Sequence, residues 1–216
     1  MKTLILVGAG KGLGNAIARE FASHDFQIVL ISRNLDNLNE YKKEFESEGF
    51  KVFIKQADAL YPETLTKAFN EIFDEIGTPD VFVYNVGITV PDDEFEINND
   101  LLMERYQIDV ASAYHCVNLL DSEEFSKKKG TVIFTGGGFA KTFEPILFLK
   151  PLCIDKAALN ATNIVLHEYL KPKGIFVGSV LVSGVIEEGD EKYDPSLIAK
   201  QYWKMYVERN EFEIVY

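Results

Sequence analysis

The chain has 216 residues, 47% of them hydrophobic, enough to bury one full core, and the expectation is a single domain over 1–216. With 22 basic against 34 acidic residues the formal charge is −12, which repels nucleic acid and anionic lipid, so neither a nucleic-acid nor a membrane partner is expected. No apolar run approaches the roughly 20 residues that span a bilayer, and Cys116 and Cys153 are too far apart for a disulfide framework or a metal motif, which points to a reducing cytoplasm.

The opening MKTLILVGAG carries a lysine and a short apolar run, but the run leads straight into glycines and reads as a first strand, not a secretion signal. Strands are expected at TLILV (3–7), QIVLI (27–31), KVFIKQ (51–56), DVFVY (80–84), GTVIFT (130–135), GIFVGSVLV (174–182) and FEIVY (212–216). Between them, residues 12–24, 34–49, 63–77, 100–121 and 153–174 carry apolar residues at helical spacing, with stops at Gly49, Gly77 and the Lys171–Gly174 run. Short β-branched runs alternating with helical patterns predict an α/β fold, a Rossmann-type, three-layer, doubly wound domain with a seven-stranded, mainly parallel sheet. The nearly continuous apolar character of the strands suits a sheet covered on both faces. Residues 187–194 are acidic and loop-like, the best candidate for a mobile flap.

After the first strand comes GAGKGLGNAIA, with Gly8, Gly10, Gly12 and Gly14. A tight turn, a close approach to a pyrophosphate and a helix packed hard on the sheet all favour residues without a Cβ, and the helix then aims its first amides, from Leu13 onward, at the phosphates. An NAD-selective site places a carboxylate at the end of the second strand for the ribose 2′-hydroxyl. Here Ser32 and Arg33 hold that corner, and Lys11 adds a cation in the loop, so a 2′-phosphate is favoured and NADP(H) is expected over NAD(H).

These residues resemble the short-chain dehydrogenase/reductase family over nearly the whole chain. GAGKGLG is similar to its TGxxxGxG without the leading threonine, here Val7; the YNVG of Tyr84 to Gly87 resembles the NNAG that ends the fourth strand; Asp58 in QADA matches the acid beside the adenine; and DKAAL resembles the end of YxxxKAAL. The resemblance implies that Asn85, Gly87, Lys156 and Gly184 join the cofactor site and that the substrate is a small molecule. It also implies a homodimer or homotetramer, because the helices bearing Tyr114 and Lys156 commonly pair between subunits in this fold.

The family's catalytic set is a serine, a tyrosine and a lysine, with an asparagine behind them. Lys156 is present, where it would hold the nicotinamide ribose and lower the tyrosine's pKa. The tyrosine's position is Leu152, the serine's is Gly137 or Gly138, and the asparagine's is Asp109. Enoyl reductases of similar fold place the tyrosine seven residues before the lysine, where this chain has Leu149. Substitute donors to weigh are Tyr84 at the end of the fourth strand, Tyr114 and Tyr106 on the helix bearing Asp109, Thr135 and Cys153. His24, His115 and His167 look like surface or core residues. The acidic runs PDDEFEINND (91–100) and EEGDEK (187–192) do not match a calcium loop, no metal is expected, and the aromatic C-terminal segment with Tyr202, Trp203, Tyr206 and Tyr216 reads as core or subunit contact. Three functions remain open: an NADP-dependent oxidoreductase acting on a small carbonyl or activated alkene, a catalytically silent NADP(H) sensor, and an isomerase or lyase without net redox change.

Overall fold

In the computed structural model, which describes residues 1–92, 96–142 and 144–216, the strands β1 (Lys2–Val7), β2 (Phe26–Ser32), β3 (Val52–Gln56), β4 (Val81–Tyr84), β5 (Thr131–Gly137), β6 (Phe176–Val182) and β7 (Glu213–Val215) form one sheet in the order β3-β2-β1-β4-β5-β6-β7. Every pairing is parallel, so the mainly parallel expectation becomes a wholly parallel sheet. The two faces divide the strand residues by parity. On β1, Leu4 and Leu6 join the layer of α1 (Leu13–Ala22), α2 (Leu35–Ser47) and α9 (Pro195–Glu208), while Ile5 and Val7 join that of α3 (Pro62–Glu75), α5 (Ser112–Leu120) and α8 (Lys150–Leu170). Burial on both faces is why the strands read as unbroken apolar runs.

Capping residues set the helix starts. Asn34 accepts from the Asn37 amide ahead of α2, and Asn98 accepts from the Leu101 amide ahead of α4 (Asn99–Tyr106). The 100–121 pattern does not form one helix: α4 and α5 are separated by a π-helical turn, Gln107–Ala111, that carries Asp109. Such turns recur where a side chain is re-aimed at a functional position. Two short helices, α6 (Glu123–Lys127) and α7 (Phe139–Thr142), have no counterpart in the sequence reading.

Two further departures matter for the site. Helix α8 begins at Lys150, not Cys153, with Pro151 in its first turn, so Leu152 stands on the helix one turn before Lys156. Helix α9 is also new; Asp194 caps it, Pro195 opens it, and Ile198, Ala199, Tyr202 and Met205 give it a buried face at helical spacing. Aromatic density in that stretch obscured the period. Tyr202 is fully buried and Trp203 stacks on His24 with centroids 3.8 Å apart, so this segment is core. Among the described residues no helix is long and apolar enough to cross a membrane, and no group of three metal-type side chains gathers. The acidic run at 91–100 lies partly outside the described residues, at Asp93, Glu94 and Phe95.

Candidate nucleotide and substrate cleft

The C-terminal ends of β1, β4, β5 and β6 open into one cleft of about 1300 Å³. Ligands bind there in open α/β sheets because the strand order reverses, here between β1 and β4. The turn out of β1 is tied down by two amides, Gly8 and Ala9, that donate to the Ile31 carbonyl at 3.0 and 3.1 Å. At Gly8, with φ +93°, an added Cβ would come within 2.6 Å of the Asn85 carbonyl carbon, and at Gly14 within 2.6 Å of the Gly8 oxygen. Both glycines are therefore set by packing.

Gly10 and Gly12 are different, since a Cβ there meets no protein atom within 4 Å. Gly12 caps α1 without any side-chain hydrogen bond and no acidic residue stands in the first turn; the Asn15 amide donates to the Gly10 carbonyl at 3.0 Å, which leaves the Leu13 and Gly14 amides as the open donors at this helix end, both on residues that line the cleft. Such an end binds phosphate through its N–H groups and the helix dipole. The residues present fit a dinucleotide pyrophosphate, with Lys11 beside them on the cleft wall.

Asn85 holds this loop to the neighbouring strand. Its Nδ2 donates to the Gly8 carbonyl at 3.1 Å, and its Oδ1 accepts from Thr135 Oγ1 at 2.8 Å. Thr135 Oγ1 also lies 2.7 Å from the buried Tyr202 hydroxyl, so a chain of polar contacts links the glycine loop to α9. Nothing in the sequence flagged Tyr202 for this role. Thr135, weighed as a substitute donor, is fully engaged in holding the loop.

Lys156 enters the opposite wall. It is 5% exposed; its Nζ donates to the Val86 carbonyl at 2.6 Å and lies 3.1 Å from Asp109 Oδ1. Gly87 packs against this ammonium, where an added Cβ would lie 3.3 Å from Nζ. Asp109 is 1% exposed, and neither of its oxygens has a directed hydrogen bond to the described residues. Beside it, Asp155 is also buried, and its carboxyl is pushed up to about 7, first by burial and then by the Asp109 charge, against the pull of Lys156 and Arg105. A buried pair of carboxylates around one lysine can hold a proton near neutral pH.

The structure separates the other sequence candidates. Gly8, Gly10, Lys11, Gly12, Leu13, Gly14, Asn85, Gly87, Lys156 and Gly184 all line the cleft. Ser32, Arg33 and Asp58 are not among the residues that line it: Ser32 ends β2, Arg33 follows it and Asp58 comes two residues after β3. The Arg33 guanidinium is exposed and makes no ion pair among the described residues, whereas Arg19 is held by Glu44 and Glu48 at 2.7 and 2.8 Å. Asp58 Oδ1 accepts from the Leu60 amide at 3.0 Å.

Tyr84 does not reach the cleft: it is 0% exposed, its hydroxyl donates to the Ile108 carbonyl, and burial pushes its pKa well up. Its parity on β4 turns it into the core. Tyr114 and Tyr106 are exposed on α5 and α4, outside the cleft. Asp109 reaches the cleft only through Lys156. Cys153 is occupied, its Sγ accepting from the Ile146 amide at 3.3 Å. All five substitute donors, Tyr84, Tyr106, Tyr114, Thr135 and Cys153, thus have structural partners or lie outside the cleft.

Sequence reasoning did not flag Ser183, Phe139 or Ile186, which line the cleft together with an apolar wall of Ile146, Phe148, Leu149 and Leu152. The wall was visible as the run FEPILFLKPL, of which Phe143 is outside the described residues. The loop at 187–194 is bonded within itself: Asp190 Oδ1 accepts from the Lys192 and Tyr193 amides, and Asp194 Oδ2 from Gly189. The backbone bonds from Tyr193 and Lys192 hold the Asp190 carboxyl below the usual carboxylate range, and the Ser196 hydroxyl, followed by the Gly189 amide, does the same for Asp194.

The chain is similar to the very-long-chain 3-oxoacyl-CoA reductase of Homo sapiens, 27% identical over 187 residues covering 82% of this chain and 57% of that protein. It is similar also to hydroxysteroid dehydrogenase-like protein 1 of Gallus gallus, 30% identical over 183 residues covering 82% and 53%. The chain therefore spans little more than half the length of these curated relatives. In fold it is similar to the L-sorbose reductase of Gluconobacter frateurii complexed with NADPH and L-sorbose, at a TM-score of 0.87 and 20% identity over 100% of this chain and 94% of that one. The alcohol dehydrogenase of Thermococcus sibiricus complexed with 5-hydroxy-NADP gives 0.86 and 19% over 100% and 96%. A family model described as short chain dehydrogenase matches residues 2–192, which takes in the glycine loop, the β4 end and the Lys156 helix; the chain belongs to the short chain dehydrogenase family.

Proposed function

We propose that this chain is an NADP-dependent oxidoreductase acting on a small carbonyl or activated-alkene substrate with an apolar body. The observation that carries this reading is one cleft lined both by the glycine loop, Lys11 and the start of α1 and by Lys156. Gly10, Gly12 and the α1 amides would hold the pyrophosphate, Arg33 and Ser32 the 2′-phosphate, and Lys156 the nicotinamide ribose. A nicotinamide held there supplies or accepts the hydride.

The chain's own residues supply the rest. Lys156 stabilises negative charge growing on the substrate oxygen, and Asp109 and the Val86 carbonyl fix its ammonium. Leu152, which holds the place of the family's tyrosine, and the apolar wall exclude water and accept a hydrophobic substrate. General acid assistance is typically worth about 100- to 10,000-fold, so electron-poor acceptors such as quinones and enones are favoured over simple ketones. A cytoplasmic homodimer or homotetramer joined through α5 and α8 suits the exposed Tyr114, Ile154, Val165 and Tyr169 on those helices.

Fluorescence titration tests the nucleotide half of the reading. NADPH should bind more tightly than NADH, and Arg33→Ala should remove the preference; equal binding of both by the wild type would refute the role given to Arg33. NADPH consumption is then followed with quinones, enones, aldehydes and ketones. Tight NADPH binding with no acceptor reduced would favour a cofactor-binding protein without turnover.

A further inference from the structure

Strand β5 ends in Thr135, Gly136 and Gly137, and none of these offers a free hydroxyl to the cleft, because Thr135 is spent on Asn85 and Tyr202. The next strand supplies one. Gly137 pairs with Val182 at the end of β6, and the Gly138 amide donates to the Val182 carbonyl at 2.8 Å, so residues 138 and 183 are side by side. A Cβ built on Gly138 would lie 2.8 Å from the Ser183 Cβ and would overlap the Ser183 hydroxyl. The Ser183 side chain therefore fills the space into which a side chain at 138, the residue just after β5, would project.

Ser183 is also presented for work. It is exposed on the cleft wall that bears Lys156 and Leu152, and its amide is anchored to the Tyr216 carbonyl at 2.7 Å. Its hydroxyl makes no hydrogen bond to the described residues. Of the other hydroxyls on the wall, Ser196 donates to Asp194 at 2.5 Å and Thr135 is occupied, while Thr89 stands on the irregular segment after β4.

We propose that Ser183 binds the reacting oxygen of the substrate, its hydroxyl donating a hydrogen bond from β6 at the place where β5 has only glycine. This rests on the oxidoreductase reading above and gives that site its second donor, in the cleft that Lys156 also lines. It also accounts for Gly138, which has no side chain because Ser183 occupies its room, whereas Gly137 is held bare by the Phe139 ring.

The test uses the full chain with NADPH, following acceptor reduction and, separately, the binding of isobutyramide, an unreactive carbonyl probe, through the change in NADPH fluorescence. In Ser183→Ala the NADPH affinity should stay within about twofold while kcat falls roughly 100- to 1,000-fold, the usual cost of one donor to a developing oxyanion. Amide affinity should drop about 2- to 10-fold, as for one net hydrogen bond, and Ser183→Thr should restore most of both. Gly138→Ser alone should be impaired by the collision, whereas Gly138→Ser with Ser183→Gly should regain activity by placing the hydroxyl in the same room from the residue after β5. Unchanged turnover and amide binding in Ser183→Ala would overturn the proposal while leaving the nucleotide reading intact. If the wild type reduces no acceptor, amide affinity decides, with a loss in Ser183→Ala supporting and equality overturning the assignment. A wild type that binds no NADPH would overturn the oxidoreductase reading and this assignment with it.

Discussion

Replacing Lys156 by methionine isolates the energetics of the buried pair. The two side chains are 7% and 1% exposed and 3.1 Å apart, so the substitution leaves the Asp109 carboxylate buried without its cation, and Oδ2 has no directed hydrogen bond to fall back on. Removing one partner of such a pair costs about 3–5 kcal/mol. At roughly 2–4 °C per kcal/mol for a chain of this size, the melting temperature should fall by ~6–20 °C. Asp109→Asn with Lys156→Met removes both charges and should recover most of that loss, so the double variant should be more stable than Lys156→Met alone. Urea midpoints by circular dichroism measure all of this. A loss below about 1 kcal/mol in Lys156→Met, or a double variant no better than the single, would refute the description of Lys156 and Asp109 as a mutually dependent buried pair.

Two further outcomes follow from particular residues. Gly10→Ala adds a Cβ that touches no protein atom, so its melting temperature should match the wild type while NADPH affinity falls, whereas Gly14→Ala, which meets the Gly8 oxygen at 2.6 Å, should lose stability as well; equal NADPH affinity in Gly10→Ala would place the phosphates elsewhere. Asp155, at about 7, has a folded pKa raised above its unfolded one, so its contribution is greatest at low pH and declines as pH rises from about 4 to 7. Asp155→Asn should flatten that decline in urea midpoints and abolish a carboxyl carbon resonance titrating near neutrality; parallel stability curves for the two proteins would show that Asp155 titrates normally.

The alternation of apolar strands with helical periods, the glycine turn and the stops at Gly49 and Gly77 were enough to predict a doubly wound sheet, because each is local: burial on both faces, a positive φ and a helix end leave their mark within a few residues. The glycine loop and Lys156 were legible for the same reason, and Leu152 was visible as an apolar residue where a donor was sought. What a side chain faces is not local. Tyr84 looked like a donor at the rim of the sheet, and only the parity of β4 turned it inward onto the Ile108 carbonyl. Asp109 and Lys156 are far apart in the chain, and their pairing exists because α8 packs against the π turn before α5. Ser183 carries no motif at all. Its meaning comes from standing beside a glycine on the neighbouring strand, so the sequence alone determined that a nucleotide fold would form, and the pairing of β5 with β6 decided which hydroxyl that fold presents to the cleft.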